Sequence, residues 1–149
     1  MRRRVVVGFD GTLRARAAVA RAITLAKRKR DSEIVVVCTH DRPPDFSHAP
    51  FLIGHIDESQ WFREWSEQAT EDLEHEVARI RLAGVEASST CGYDDPVDLL
   101  EKIAEEVGAD YIVVPDDREG LLHDLIIGSI ARRLMQTSSV PVLPVRGDE

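Results

Sequence analysis

Glu33–Thr39 reads EIVVVCT, a run of β-branched residues in which apolar side chains follow one another instead of alternating with polar ones. Arg4–Phe9 (RVVVGF) and Tyr111–Val114 (YIVV) have the same pattern. Such runs are typical of strands that are covered on both faces, as in a parallel sheet flanked by helices. Together with Val85–Cys91 and Val140–Val145, which are also rich in β-branched residues, they predict five strands.

Helical patterns fill the intervals between these strands. Apolar residues recur three or four positions apart, and Trp61 and Trp65 fall on the apolar stripe of the second pattern. The tryptophans fit a core face, with a ligand-contacting surface as the alternative. The third pattern begins with Asp95 as a candidate N-cap and ends at Gly108. The predicted helices are Thr12–Arg30, Ser59–Ala83, Asp95–Val107 and about Ser129–Gln136.

The order of elements is therefore β-α-β-α-β-α-β-α-β, which predicts a single α/β domain over residues 1–149. Alternation of this kind implies right-handed crossovers, a mostly parallel five-stranded sheet and helices on both faces. Such sheets bind ligands beyond the carboxyl ends of their strands. The candidate site therefore lies among Phe9–Thr12, Thr39–Asp41 and Pro115–Ser129.

Charge and hydropathy exclude two classes of partner. The formal net charge of −8 argues against nucleic acid, because such binding needs Lys and Arg to neutralise phosphates. The longest apolar runs are far short of the ~20 residues that cross a bilayer. We read Met1–Arg4 (MRRR) as a basic cap on a buried first strand. We predict a cytoplasmic protein whose two cysteines, Cys38 and Cys91, are reduced thiols.

Three stretches resemble the universal stress protein family and together extend over essentially the whole chain. They are VVVGFDGT at 5–12, GYDDPVDLLEKIAEEVGAD at 92–110, and GADYIVVPDDREGLLHDLIIGSIARRLMQTSSVPVLPVR at 108–146. The resemblance implies a sheet of order 3-2-1-4-5. Together with a departure from the family's glycine motif, described below, it leads us to predict a non-enzymatic stress-response module that acts in binding or signalling, with a slow ATP hydrolase as the least favoured alternative. The resemblance also implies a homodimer paired through the C-terminal edge strand, Val140–Val145. Pro141 and Pro144 would reduce the number of hydrogen bonds in that pairing, because proline has no N–H to donate.

ATP-binding members of this family carry Gly-x-x-Gly, nine residues, then Gly-Ser/Thr. Gly128–Ser129 fits the end of the motif, but Pro115 and Arg118 stand where the first two glycines belong. Proline removes an N–H, and Asp116 and Asp117 add negative charge beside a would-be triphosphate. We therefore predict weak or absent ATP binding. The alternative is an adenine-nucleotide-binding protein that takes AMP, ATP or a cyclic nucleotide.

The resemblance also supplies candidate site residues, and Asp10 matches the family's acidic residue beside the nucleoside. By position, Thr39 would offer a backbone contact to adenine. A second interpretation of Asp10, as the N-cap of the first helix, stays open because Thr12 is also suited to that position. The full cofactor-binding set is Gly8, Phe9, Asp10, Thr39, Gly128, Ser129 and Ile130.

Neither catalytic nor metal-binding residues are assigned. Asp116, Asp117 and Asp124 could in principle hold a divalent cation, but a solvated acidic loop is the favoured interpretation. The segment Asp41–Glu58 carries several large apolar residues, and two roles stay open for it: a lid over the site or a surface loop. The physiological protein partner is unknown.

Overall fold

The computed structural model describes residues 2–38, 58–92, 95–116 and 129–146, without the side chains of residues 58–66 and of Ser129. Within these residues, strands and helices alternate in the predicted order. The strands are β1 (Arg3–Phe9), β2 (Ser32–Cys38), β3 (Glu86–Cys91), β4 (Tyr111–Pro115) and β5 (Val142–Val145). The helices are α1 (Leu13–Lys27), α2 (Glu58–Leu82), α3 (Pro96–Val107) and α4 (Ser129–Thr137).

The five strands form one sheet in the order β3-β2-β1-β4-β5, and all four pairings are parallel. This confirms the order that the family resemblance implied. β1 lies in the centre, with Val7 in register with Val36 of β2 and Val113 of β4. Because the strands are parallel, all of their carboxyl ends lie along one edge of the sheet.

Each face of the sheet is covered by two helices. Val5, Val7 and Phe9 of β1 belong to a core cluster with α1 and α2, whereas Val6 belongs to a second cluster with α3 and α4. Successive side chains of a strand point to opposite faces, so VVV must be apolar throughout when both faces are buried. The continuous apolar runs of the sequence are explained by this arrangement. The second predicted helix also keeps its stripe: Ala69, Leu73, Val77 and Ile80 are all buried.

Two element boundaries differ from the sequence prediction by more than one residue. α1 ends at Lys27, not at Arg30, because the chain turns there: Asp31 has a φ of 60° and its carbonyl accepts a hydrogen bond from the Arg3 N–H at 3.1 Å. β5 begins at Val142 instead of Val140. The Val140 N–H donates to the Ser138 hydroxyl oxygen at 3.0 Å, a local turn that competes with the ladder.

The arginines of the N-terminus bind across the amino end of the sheet. The Arg2 guanidinium contacts Asp31, Glu33 and Glu86 at 2.7–3.0 Å. These partners, the Asp31 hydrogen bond first, raise the pKa of Arg2 above its usual range. Arg4 contacts Glu33 at 2.6 Å and donates to the Val107 carbonyl at 3.0 Å. The predicted basic cap on a buried first strand is confirmed.

Glu76 of α2 is buried to 1% exposure between α1 and α2. Its carboxylate oxygens lie 3.6 Å from the Arg16 guanidinium of α1 and 3.2 Å from that of Arg79. The half-exposed arginines therefore supply the opposite charge that a buried carboxylate requires. This contact joins the two helices that cover one face of the sheet.

β5 lies at the edge of the sheet and pairs with β4 alone among the described strands. A free edge of this kind presents unpaired backbone groups to a partner. The homodimer predicted through this edge strand stays a prediction. In the described ranges, none of the helices combines the length and the apolar composition that a membrane crossing requires.

Candidate functional site

The carboxyl edge of the sheet carries the candidate site. β1 ends at Phe9 and its neighbour β4 ends at Pro115, so Asp10 and Asp116 follow adjacent parallel strands at the same edge. β2 ends beside β1, where Cys38 is in register with Phe9. The fold therefore brings the ends of three strands together where the sequence predicted a ligand.

Asp10 organises the turn between β1 and α1. Its Oδ1 accepts hydrogen bonds from the Thr12 backbone N–H at 3.0 Å and from the Thr12 hydroxyl at 2.6 Å. Gly11 between them has a φ of 85°, a conformation that glycine adopts without strain. The Thr12 hydroxyl oxygen in turn accepts from the Ala15 N–H at 3.1 Å and is the N-cap of α1. The interpretation of Asp10 as that N-cap is therefore wrong.

The second carboxylate oxygen of Asp10 has a different environment. Oδ2 accepts no hydrogen bond from the described residues, and the side chain is half-buried. One oxygen therefore holds the turn, whereas the other has no donor among the described residues. A ribose hydroxyl can donate a hydrogen bond to such an oxygen.

Gly8 and Phe9 lie in the sheet itself. Both are buried, and the Phe9 side chain is 1% exposed within the core cluster of α1 and α2. Any part that Phe9 takes in binding must therefore come from its backbone. Burying an aromatic side chain there instead stabilises the central strand.

Pro115 and Asp116 decide what the end of β4 can offer to a phosphate. Pro115 has no N–H, and the N–H of Asp116 already donates to the Val145 carbonyl at 2.8 Å. Asp116 is also only 4% exposed. The interpretation of this aspartate as part of a solvated acidic loop is therefore wrong, because its backbone extends the contact between β4 and β5.

The other predicted site residues lie at the start of α4 or outside the described residues. Ser129 is the first residue of α4, and Ile130 is half-buried against the core cluster of α3 and α4. Thr39 and Gly128 lie outside the described residues, as do most of the 41–58 segment and residues 117–127. Their predicted roles stay predictions.

Asp95 is a residue of this edge that the sequence identified only as a helix cap. Its Oδ1 accepts from the Val97 N–H at 2.9 Å, and its Oδ2 lies 3.1 Å from the Arg133 guanidinium of α4. The Arg133 hydrogen bond, followed by the bonds from the backbone N–H groups of Val97 and Asp98, lowers the pKa of Asp95. The carboxylate thus joins the first turn of α3 to α4, a contact that residue spacing does not reveal.

Replacing Asp95 by alanine is expected to lower the free energy of unfolding at neutral pH by about 1 kcal/mol, the usual effect of losing an N-cap. Because folding lowers the pKa of Asp95, its contribution is present above the unfolded-state value of 3.8 and decreases as the pH falls through the folded-state pKa. Urea unfolding at pH 7 and pH 3 measures the difference. Asp98→Ala, which removes a first-turn charge but no cap, should cost less. An equal loss in both variants would contradict the capping role.

Metal ligation has no support among residues 2–38, 58–92, 95–116 and 129–146. No group of three or more His, Cys, Asp or Glu side chains in these ranges is placed to hold an ion. The two other carboxylates of the weighed cation site, Asp117 and Asp124, lie outside them.

The model of the universal stress protein family matches residues 1–146, nearly the whole chain. The chain belongs to that family. Among its relatives, the stress response protein NhaX of Bacillus subtilis is 28% identical over 96% of this chain and 97% of its own length. The family resemblance of the sequence is thereby confirmed, and with it the description of this universal stress protein as a stress-response module.

Solved structures show the same fold. The universal stress protein of Archaeoglobus fulgidus is 24% identical with a TM-score of 0.70 over 97% of this chain and 98% of its own. Its complex with dAMP has a TM-score of 0.65 over the same fractions, at the same identity. A universal stress protein from Arabidopsis thaliana with AMP bound is 16% identical, with a TM-score of 0.64 over 97% of this chain and 91% of its own.

Proposed function

We propose that this universal stress protein is a non-enzymatic binding module whose strand-end site binds ATP weakly or not at all. The backbone at the end of β4 carries this proposal. A loop that holds a triphosphate does so with N–H groups that point at the phosphate oxygens. At Pro115 the N–H is absent, and at Asp116 it is engaged with Val145 at 2.8 Å.

The negative charges at this edge of the sheet also disfavour the binding of ATP. Asp10 and Asp116 are carboxylates at the ends of neighbouring strands, and Asp117 follows directly in the chain. A like-charge contact within ~4 Å costs on the order of 1–4 kcal/mol, depending on the local dielectric. A triphosphate would bring several negative charges to this edge. A ligand with fewer phosphates meets less repulsion.

The non-enzymatic part of the proposal rests on the sequence. It contains neither a Gly-x-x-x-x-Gly-Lys-Ser/Thr loop nor a Gly-x-Ser-x-Gly nucleophile turn. The chemistry of ATP hydrolysis also needs a triphosphate that is held in place. A chain that binds ATP poorly has no means to position one.

Isothermal titration with ATP and Mg²⁺ tests the proposal. The wild-type protein should show no binding in the micromolar range, which corresponds to about −8 kcal/mol. The matched variant Pro115→Gly with Arg118→Gly restores both family glycines and should bind ATP more tightly than the wild type. Phosphate release from ATP should stay at the buffer rate. Micromolar ATP binding by the wild type would contradict the proposal.

A second candidate function is the binding of an adenine mononucleotide at the same edge. Two observations favour it: Oδ2 of Asp10 accepts no hydrogen bond from the described residues, and two structural relatives carry AMP or dAMP. One phosphate could lie at the N-terminus of α4, whose first-turn N–H groups favour an anion. Titration with AMP in the same buffer should then give heat that ATP does not. No heat with AMP, adenosine or cyclic AMP at millimolar ligand would exclude this candidate.

A further inference from the structure

The two cysteines of the chain are direct neighbours across the sheet. Cys38 is the last residue of β2, Cys91 is the last residue of β3, and the parallel ladder places them in register. Register partners point to the same face of a sheet and lie about 4.8 Å apart along the hydrogen-bonding direction. That spacing is within the range of about 4.4–6.8 Å between the Cα atoms of a disulfide. Both side chains are thiols in the structure.

The two thiols differ in their access to solvent. Cys91 is exposed, whereas Cys38 is 1% exposed and belongs to the core cluster of α1 and α2. An oxidant dissolved in water therefore reaches Cys91 first. Cys38 is positioned behind it as the second thiol that can react with an oxidised Cys91. Cysteines that sense oxidants are often exposed and placed beside a second cysteine in this way.

We propose that Cys38 and Cys91 are a peroxide-reactive pair that forms a reversible disulfide between β2 and β3. In the first step the Cys91 thiol loses its proton and the thiolate attacks one oxygen of hydrogen peroxide, so that the O–O bond breaks. Cys91 becomes a sulfenic acid, and the hydroxide that leaves takes up the proton lost by the thiol and becomes water. In the second step the sulfur of Cys38 attacks the sulfur of Cys91, the S–O bond breaks, and a second water leaves. Each sulfur is oxidised by one electron overall, and one peroxide is reduced to two waters. A dithiol reductant reverses the reaction by thiol–disulfide exchange.

The strand ends give the pair the freedom that bond formation needs. Neighbouring strands are about 4.8 Å apart, whereas the Cβ atoms of a disulfide are about 3.5–4.5 Å apart, so the two cysteines must approach each other. β3 is an edge strand that pairs with β2 alone among the described strands, and Cys91 is its final residue. The movement of about 1 Å therefore falls on the end of an edge strand. A disulfide strained in this way is more easily reduced than a structural one.

Thiol counting on the full-length protein tests the proposal. The reduced protein is treated with a small excess of hydrogen peroxide and then alkylated with N-ethylmaleimide under denaturing conditions. Mass spectrometry gives the mass of the intact protein. Alkylatable thiols should fall from two to none per chain, while the unalkylated mass decreases by about 2 Da, the two hydrogens lost in a disulfide. Trypsin should release peptides 31–63 and 82–102 as one linked species. Dithiothreitol should restore both thiols.

Single variants distinguish a disulfide between the two cysteines from separate oxidation of each one. Cys91→Ser should keep an unreacted Cys38, because burial protects that thiol from peroxide. Cys38→Ala should stop at a sulfenic acid on Cys91 that dimedone traps. Circular dichroism checks that both variants are folded, and Cys91→Ser changes only an exposed side chain. The proposal is overturned if wild-type Cys38 remains alkylatable after peroxide treatment. Disulfide-linked dimers in place of the intramolecular bond would also overturn it.

Discussion

Asp10→Ala is expected to weaken the binding of AMP by about 10- to 100-fold, the range that corresponds to losing a hydrogen bond of about 1.5–3 kcal/mol to a charged group. The reason lies in the two oxygens of this carboxylate. Oδ1 accepts from Thr12, whereas Oδ2 accepts no hydrogen bond from a described residue. The expectation rests on the proposed mononucleotide site, and isothermal titration with AMP measures it.

A matched variant is needed because Asp10 also holds the turn before α1. Thr12→Val keeps the carboxylate but removes the hydroxyl that donates to Asp10 and caps the helix. It should lower the free energy of unfolding by about 1 kcal/mol and leave AMP binding within about threefold of the wild type. If Thr12→Val weakened AMP binding as much as Asp10→Ala, the aspartate would act through the turn and not through the ligand.

Leu100→Ala is expected to lower the free energy of unfolding by about 3–4 kcal/mol, within the range measured for buried leucines in other proteins. Leu100 is fully buried in the core cluster of α3 and α4. Removing its terminal carbons leaves a cavity between α3 and the sheet that the rigid strands cannot close. Urea unfolding followed by circular dichroism gives the value from the midpoint and the slope.

The same substitution at an exposed position provides the control. Leu82 ends α2 and is 89% exposed, so Leu82→Ala should change the free energy of unfolding by no more than about 0.5 kcal/mol. The contrast between two leucine-to-alanine variants removes the effects of side-chain chemistry and helix propensity. Equal losses at both positions would show that α3 is not packed against the sheet as described.

Much of the fold was accessible from local sequence because its strands are buried on both faces. The runs VVV in β1 and IVVV in β2 contain no polar residue. A strand needs apolar side chains at every position only when both of its faces are buried. Helix caps can also be predicted from local sequence. Asp95 and Gly108 lie at the two ends of α3 as predicted, and Gly108 has a φ of 64°. The order of the strands required the family resemblance, because no local pattern states which strands are neighbours.

The candidate site was less predictable from sequence. Asp10 and Thr12 are both good N-cap residues, and only the turn geometry showed that Thr12 caps α1 while Asp10 holds Thr12. Asp116 resembles a loop residue in sequence, but the pairing of β4 with β5 takes its N–H and buries it. In each case a hydrogen bond decides the role of the residue, and hydrophobic periodicity does not predict hydrogen bonds.

By itself, then, the sequence determined the class of this protein: alternating strands and helices, two apolar faces and membership of the universal stress protein family. Only the tertiary structure decided which polar groups meet. Glu76 of α2 reaches Arg16 of α1, Asp95 reaches Arg133, and Cys38 lies beside Cys91. The physical reason is that burial depends on the period of a single element, whereas these contacts depend on register and on crossing between elements that are distant in the chain.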